Sequence, residues 1–445
     1  MTVKHQSQRY QKKGSDLSII LHNGFYLTKK NPYFHELIIP IKLKEIKTMA
    51  KRKIVALPGD GIGEIVLEQA IRVLSAAGFE ADYIHADIGW EFWRKEGNPL
   101  PQRTIDLIEQ HKIALFGAIT SKPKDEADSE LDQELQNSGL VYSSPIVGLR
   151  QHFNLDICLR PCRTYEGNPL NFIRRNREGA FDEPHVDVAI FRQNTEGLYG
   201  GVEWSNPPSM VYKALMTHPK FIKNFGTVPV EEISVSTRIF SKKATERIVR
   251  AAFGYARQYG YESVTVCEKP NVIRETSGMM LKLARDIQKT EYPEIQLWNT
   301  NIDAQMMWLT KNPENYGVIV AGNMFGDIVS DAFAGLIGGL GFACSAQFSA
   351  DGVGVFEPTH GSAPKYASYD IPIVNPIAMI ESACMMLDYI DEKNTADKIR
   401  TAVAKVISEG KVRTYDMMKM PGRPEVVNQG AANTIQMTDE IISNL

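Results

Sequence analysis

Two carboxylates four residues apart, Asp327 and Asp331, stand in Asn323-Met324-Phe325-Gly326-Asp327-Ile328-Val329-Ser330-Asp331. On a helix that spacing puts both on one face, where two like charges are costly unless a cation or base lies between them. Hard oxygen donors of this kind suit Mg2+ or Mn2+. The bland alternative is a solvated helix face, against which stand the apolar neighbours Ile328, Val329, Ala332 and Phe333. The segment also follows the apolar run Gly317–Ala321, and open α/β sheets place their sites just beyond strand ends.

Other residues carry chemistry less distinctly. Arg150 and Arg160 flank a partly strand-like stretch and suit a bidentate grip on carboxylates, although structural ion pairing is the commoner fate of an arginine. Tyr199 lies in Arg192-Gln193-Asn194-Thr195-Glu196-Gly197-Leu198-Tyr199, and Lys269 in Cys267-Glu268-Lys269-Pro270-Asn271. Taken singly, a tyrosine is more often packing and a lysine more often surface. The segment Glu357-Pro358-Thr359-His360-Gly361-Ser362-Ala363-Pro364-Lys365-Tyr366 is rich in small residues. Its backbone amides allow close approach to a nucleotide, but it reads equally as a surface loop. Gly59-Asp60-Gly61-Ile62-Gly63 opens a helix after a strand, without the G-x-G-x-x-G spacing of a dinucleotide fingerprint. A purely structural turn is an equal reading.

The elements that must position these groups are readable from Lys51 onward. Lys53–Leu57 is a short apolar strand, and Glu64–Ala77 is amphipathic, with Val66, Ala70, Val73 and Leu74 at helical spacing. Strands are expected at Ala81–His85, Ala114–Gly117, Val186–Phe191, Ile233–Thr237, Ser263–Cys267 and Gly317–Ala321. Helices are expected at Pro101–Gln110, Lys242–Tyr259, after Glu275, and near Pro376–Tyr389 and Thr395–Ser408. Tyr199–Pro229 reads as turn-rich, and the stretch from Leu340 as a Gly- and Pro-rich loop. Strands alternating with helices predict an α/β sheet with a parallel core.

Composition narrows the class. The chain has 445 residues, a formal net charge of -3 and no strongly acidic tail, so no global basic field invites nucleic acid. No apolar run reaches the roughly 18 residues of a membrane span. The five cysteines, Cys158, Cys162, Cys267, Cys344 and Cys384, are scattered, which predicts reduced thiols and a cytoplasmic protein. Residues 1–48 differ from the rest, with nine Lys/Arg against Asp16, Glu36 and Glu45. They read as an extension that is disordered or not translated, with Met49 as the functional start.

In this order, six segments together resemble the isocitrate/3-isopropylmalate dehydrogenase family of β-decarboxylating dehydrogenases. They are Leu57–Gly63, Leu149-Arg150 to Leu159-Arg160-Pro161, Arg192–Tyr199, Lys269–Asn271, Asn323–Asp331 and His360–Tyr366. The resemblance runs from about Lys53 to the C-terminus. It implies an α/β/α isopropylmalate dehydrogenase-like fold, with a large cofactor-binding domain from 50–155 and 339–445. It implies a smaller central domain at 156–338 that holds the dimer clasp and metal site. It implies a homodimer with shared active sites. It also implies that Arg150, Arg160 and Arg192 grip the substrate's carboxylates, with Asn271 helping to position substrate or nicotinamide. Asp327 and Asp331, with Asp303 from the partner subunit, are expected to hold Mg2+ or Mn2+. Lys269 from the partner is expected to take the hydroxyl proton, and Tyr199 to protonate carbon after CO2 leaves.

The resemblance also bears on cofactor and substrate. NAD-using relatives carry an acid after the His-Gly-x-Ala-Pro segment, where this chain has Lys365 and then Tyr366. Tyr415 and Lys419 match the Tyr and base of NADP-using relatives. A cation and phenols suit a 2′-phosphate, so NADP is expected, with NAD as the alternative. Glu357, His360, Gly361, Ser362, Ala363 and Asn375 complete the expected cofactor site, with Asn375 near the adenine. Ser144 matches a serine that NADP isocitrate enzymes place on the distal carboxylate. Ile146 and Phe116 replace polar residues there, and Ile146 and Val147 suit a pocket for an isopropyl group. The expected reaction is NADP-dependent oxidative decarboxylation of isocitrate, the alternatives being 3-isopropylmalate or homoisocitrate as substrate. The insertion Lys122–Tyr142 reads as a mobile lid or a surface loop. A non-catalytic regulatory subunit is the rival class, against which Tyr199, Lys269, Asp303, Asp327 and Asp331 are all present.

Overall fold

The computed structural model describes residues 51–445 apart from Arg177 and the side chains of Lys124 and Asp125. The expected extension, 1–48, lies outside the described residues. Ten strands form one sheet: β1 (Arg52–Gly59), β2 (Ala81–His85), β3 (Ile113–Ala118), β4 (Ile157–Arg163), β5 (Asp187–Gln193), β6 (Ser263–Glu268), β7 (Gln296–Asn301), β8 (Val318–Ala321), β9 (Cys344–Phe348) and β10 (Gly354–Pro358). Across the sheet their order is β7-β6-β8-β5-β4-β9-β10-β3-β1-β2.

The two wings are parallel, as the alternation of strands and helices predicts. The centre is not: β4 is antiparallel to both β5 and β9, and β9 to β10. The stretch from Leu340 thus holds a hairpin rather than only a loop. Its strands are five residues each and fully or nearly fully buried, so no polar alternation marks them.

The helices follow their apolar periods. Ile62–Ala76 buries Val66, Ala70, Val73 and Leu74 against the sheet, and Lys242–Tyr259 buries Ile248, Val249, Ala252 and Phe253. Ile377–Tyr389 is buried almost all round and lies at the centre of the C-terminal part. Tyr199–Pro229 contains two short helices, Ser209–Leu215 and Pro219–Phe225. The expected strand at Ile233–Thr237 shortens to Ser234–Ser236, paired in a ribbon with Glu203–Ser205.

The insertion Lys122–Tyr142 has a small core of its own. Trp93 is 1% exposed and packs with Ala127 and Leu131. The Tyr142 ring meets Trp90 and Trp93 edge-on at 5.0 and 5.3 Å, and its hydroxyl donates to the Thr120 carbonyl at 2.7 Å. Aromatic packing of this kind ties the segment to the helix Trp90–Glu96. All five cysteines are free and buried.

Candidate active site

Four parallel strands of one wing deliver functional residues at their C-terminal ends. Arg192 lies near the end of β5, Lys269 follows β6, Asp303 follows β7, and Asn323 opens the helix Asn323–Leu336 after β8. This is where the parallel wing of an α/β sheet collects chemistry. The helix carries Asp327 and Asp331 on one face, as their spacing predicts.

Two buried arginines converge on that face. One Arg160 nitrogen donates to Asp331 at 2.9 Å, to the Ser330 hydroxyl at 2.8 Å and to Asp327 at 3.3 Å. Arg192 donates from Nη1 to Asp327 and from Nε to Asn323 at 2.9 Å. Burial, reinforced by repulsion from Arg160 and Arg150, pulls Arg192 down to about 10, which still leaves it charged at neutral pH. Gly326 permits this approach, because a Cβ there would lie 2.7 Å from the Arg192 side chain. Burial is also the main cause lifting Asp331 above its ordinary value; Arg160 opposes the shift and Asp327 adds to it. The carboxylate pair therefore demands positive charge, and its oxygens are only partly covered. That donor set fits a hard divalent cation.

Arg150 reaches the same region from the helix Pro145–His152. Its Nε donates to Gln347 Oε1 at 2.8 Å, and its Nη2 lies 3.5 Å from Glu357. Tyr199 is 47% exposed, with the Arg192 guanidinium 5.7 Å from its ring centroid. Burial, then the nearby Asp327 charge, raises its hydroxyl pKa, so it holds its proton more tightly.

Lys269 and Asp303 form a separate unit, joined by a hydrogen bond that lowers the Asp303 pKa. Among the described residues no three His, Cys, Asp or Glu side chains form a metal-holding group, so one chain does not gather Asp303 with Asp327 and Asp331. Asn271 lies on an exposed turn after Lys269. Ser144 precedes the helix that carries Arg150, and its hydroxyl accepts from that of Ser121 at 3.2 Å rather than from the helix backbone. Ile146 is 9% exposed and Phe116 fully buried, both in one apolar cluster with Leu57 and Leu149. The helix Pro145–His152 turns Ile146 toward that cluster. Val147, on the same turn, is 38% exposed.

The expected cofactor residues gather at the C-terminal ends of the other wing. Ile62 donates its backbone N–H to the Ser362 carbonyl at 2.9 Å, and the Ser362 and Thr120 hydroxyls lie 2.6 Å apart. Asp60 accepts from the Trp90 and Thr120 backbones at 2.6 and 2.8 Å. The glycine-rich turn therefore braces the 360–366 segment rather than standing alone. His360 Nδ1 lies 3.0 Å from the Gly361 carbonyl, while its buried Nε2 has no partner among the described residues. Ala363, in a left-handed conformation, starts the short helix Pro364–Ala367 that presents Lys365 and Tyr366. Lys365 Nζ lies 5.7 Å from the Tyr366 ring, and the Tyr366 and Tyr415 rings are 5.7 Å apart. Asn375 is tied to Asp416 at 3.1 Å, and Lys419 is exposed just beyond. An orphaned imidazole nitrogen, one cation and two phenols are groups that can bond an anionic nucleotide.

Three residues at the site carry no assigned role in the sequence reading. Gln347, fully buried on β9, bonds Arg150, Asn194 and Glu357. No local signal marks it, since β9 itself was hidden. Asn323 and Ser330 anchor Arg192 and Arg160, and their place in the Asp327 helix was the available signal.

Carboxylates on a helix face, arginines reaching them and a braced nucleotide-type segment define a site for an anionic substrate and a nucleotide. The isocitrate/isopropylmalate dehydrogenase family model matches residues 53–441. The chain is 38% identical over 394 residues to protein DlpA of Legionella pneumophila, covering 88% of this chain and 58% of that protein. It is 33% identical over 397 residues to 3-isopropylmalate dehydrogenase of Methanothermobacter thermautotrophicus, covering 89% and 99% of the two chains. The structure of isocitrate dehydrogenase from Methylococcus capsulatus superposes with a TM-score of 0.71 at 34% identity, covering 88% and 99%. The chain belongs to the isocitrate/isopropylmalate dehydrogenase family, whose members are NAD(P)-dependent oxidative decarboxylases of hydroxy acids.

Proposed function

We propose that this protein oxidises and decarboxylates isocitrate with NADP, as a homodimer with shared active sites. The observation that carries the decarboxylase reading is the convergence of Arg160 and Arg192 on Asp327 and Asp331. The arginines, with Arg150, orient the substrate's carboxylates by charge-assisted hydrogen bonds. Asp327 and Asp331, joined by Asp303 of a second subunit, would hold a divalent cation, which when bound supplies Lewis-acid polarisation of the substrate's oxygen. Lys269 would take the hydroxyl proton of the substrate, and a nicotinamide held by the 360–366 segment would supply the hydride acceptor when bound. Tyr199 keeps its proton until carbon requires it after CO2 departs, in line with its raised pKa.

The pairing of Lys269 with Asp303 supports delivery of both as one unit from the neighbouring subunit. In this reading 50–155 with 339–445 and 156–338 act as two domains around the cleft. The cluster of Lys365, Tyr366 and Tyr415 supports NADP. The adjacent Ser121 and Ser144 hydroxyls support a third substrate carboxylate, which isocitrate and homoisocitrate carry and 3-isopropylmalate lacks. Val147, exposed on that helical turn, favours 3-isopropylmalate as the second reading.

The test is a reduction assay with Mg2+, giving isocitrate, 3-isopropylmalate and homoisocitrate in parallel, each with NADP and NAD. Fastest turnover of isocitrate with NADP supports the reading. Preference for 3-isopropylmalate makes Val147 the better guide, and no turnover in any pairing removes the catalytic assignment.

A further inference from the structure

A cavity of about 680 Å³ lies on the side of β4 away from the catalytic arginines. Alternation along the strand explains the placement. Arg160 points to Asp327 and Asp331, so its neighbours Leu159 and Pro161, and beyond them Arg163, face the other way and line the cavity. Further walls come from the helices Lys242–Tyr259, Ile377–Tyr389 and Lys393–Glu409, from the segment after β4, and from residues at and before β9. The volume falls within the range of about 300–1,000 Å³ that holds small-molecule ligands.

Its lining has a definite chemistry. The floor is apolar, from Leu159, Ile337, Phe342, Phe348 and Met385. Tyr255, Tyr259 and Tyr389 add aromatic walls, the first two with ring centroids 4.3 Å apart. Five acids, Glu166, Glu381, Asp388, Asp391 and Asp397, line it against Arg163, Lys393 and Arg400. Two of those three bases are engaged. Arg163 pairs with Asp187 at 3.3 Å, and Arg400 with Asp388 at 2.6 Å and Glu381 at 3.4 Å. Among the described residues, Glu166 and Asp391 have no ion-pair partner. With Lys393 likewise unpaired among the described residues, the lining still carries five acids against three bases, and this acidic balance beside three tyrosine rings favours a cation with an apolar body.

We propose that this cavity is a binding site for a small organic ammonium ion carrying an aryl or alkyl tail. The tail fills the floor, and the ammonium group lies among the tyrosine rings and the acids of the lining. The site is independent of the reaction assigned above, and binding is read without turnover.

The probe is 2-phenylethylamine, compared with the neutral 2-phenylethanol and the anionic phenylacetate, each titrated into the full-length protein by calorimetry and ligand-observed NMR. The amine should bind one per chain, at least about tenfold tighter than the alcohol, with phenylacetate weaker still. Thr401→Trp, at an exposed lining position, should abolish amine binding while leaving the melting temperature unchanged. Gln258→Trp, exposed on the opposite wall, serves if that variant does not fold. Equal or tighter binding of the alcohol or the acid, wild-type affinity in the folded tryptophan variant, or binding of none of the three overturns the assignment.

Discussion

Gly61→Ala offers a sharp test of how the glycine-rich turn serves the nucleotide segment. Gly61 has φ +58 and ψ -121, a region that L-residues rarely adopt and that costs about 1–3 kcal/mol. Its added Cβ would also sit 2.2 Å from the Ser362 carbonyl oxygen, where ordinary contact begins at 3.4 Å. Relief requires a displacement of roughly 1 Å, and the atom that must move is backbone, already bonded to the Ile62 N–H. Forced overpacking costs about 1–3 kcal/mol, so the total is about 2–6 kcal/mol. The control is Gly78→Ala at the far end of the same helix, with φ +96 and nothing within 4 Å of the new Cβ. It incurs the backbone cost alone, about 1–2 kcal/mol.

Calorimetric melting of the two variants should separate these contributions, with Gly61→Ala the less stable. Because Ser362 belongs to the proposed NADP cradle, its KM for NADP should rise about tenfold or more, while the KM for the hydroxy acid changes little. A melting temperature equal to that of Gly78→Ala would refute the steric argument. A parallel rise in both KM values would show that the turn supports the whole cleft rather than the nucleotide segment.

Asp303→Asn and Asp331→Asn should each abolish activity; mixed, unfolded and refolded together at equal ratio, they should recover about a quarter of wild-type activity if the site is shared across a dimer, and none if each chain works alone. Lys365→Glu should lower kcat/KM for NADP by about 10²-fold and spare or improve NAD, measured with both nucleotides at fixed substrate. Burial holds the His360 pKa below its ordinary value, so the folded state resists protonation. Stability is then full above the unfolded value of 6.5 and falls with pH below it; in His360→Gln this part of the acid loss should vanish from melting curves taken between about pH 7.5 and 5.

The sequence by itself determined what depends on neighbours along the chain. The period of Val66, Ala70, Val73 and Leu74 makes a helix face, and the i, i+4 spacing of Asp327 and Asp331 puts both on one side of another. The same local order carried the family resemblance. Tertiary structure decided what depends on strand order. Arg160 reaches Asp327 across 167 residues only because β4 and β5 are adjacent and antiparallel. Arg150 meets Gln347 because β9, invisible as an alternating strand, inserts beside β4. Ile146 and Phe116 stand 30 residues apart in the chain, and only the packing of the helix Pro145–His152 against the sheet brings them into one apolar cluster. The cavity behind β4 has no linear signature, since its walls come from segments that only the fold brings face to face. Local periodicity records which side of an element is apolar; it does not record which other element that side will meet.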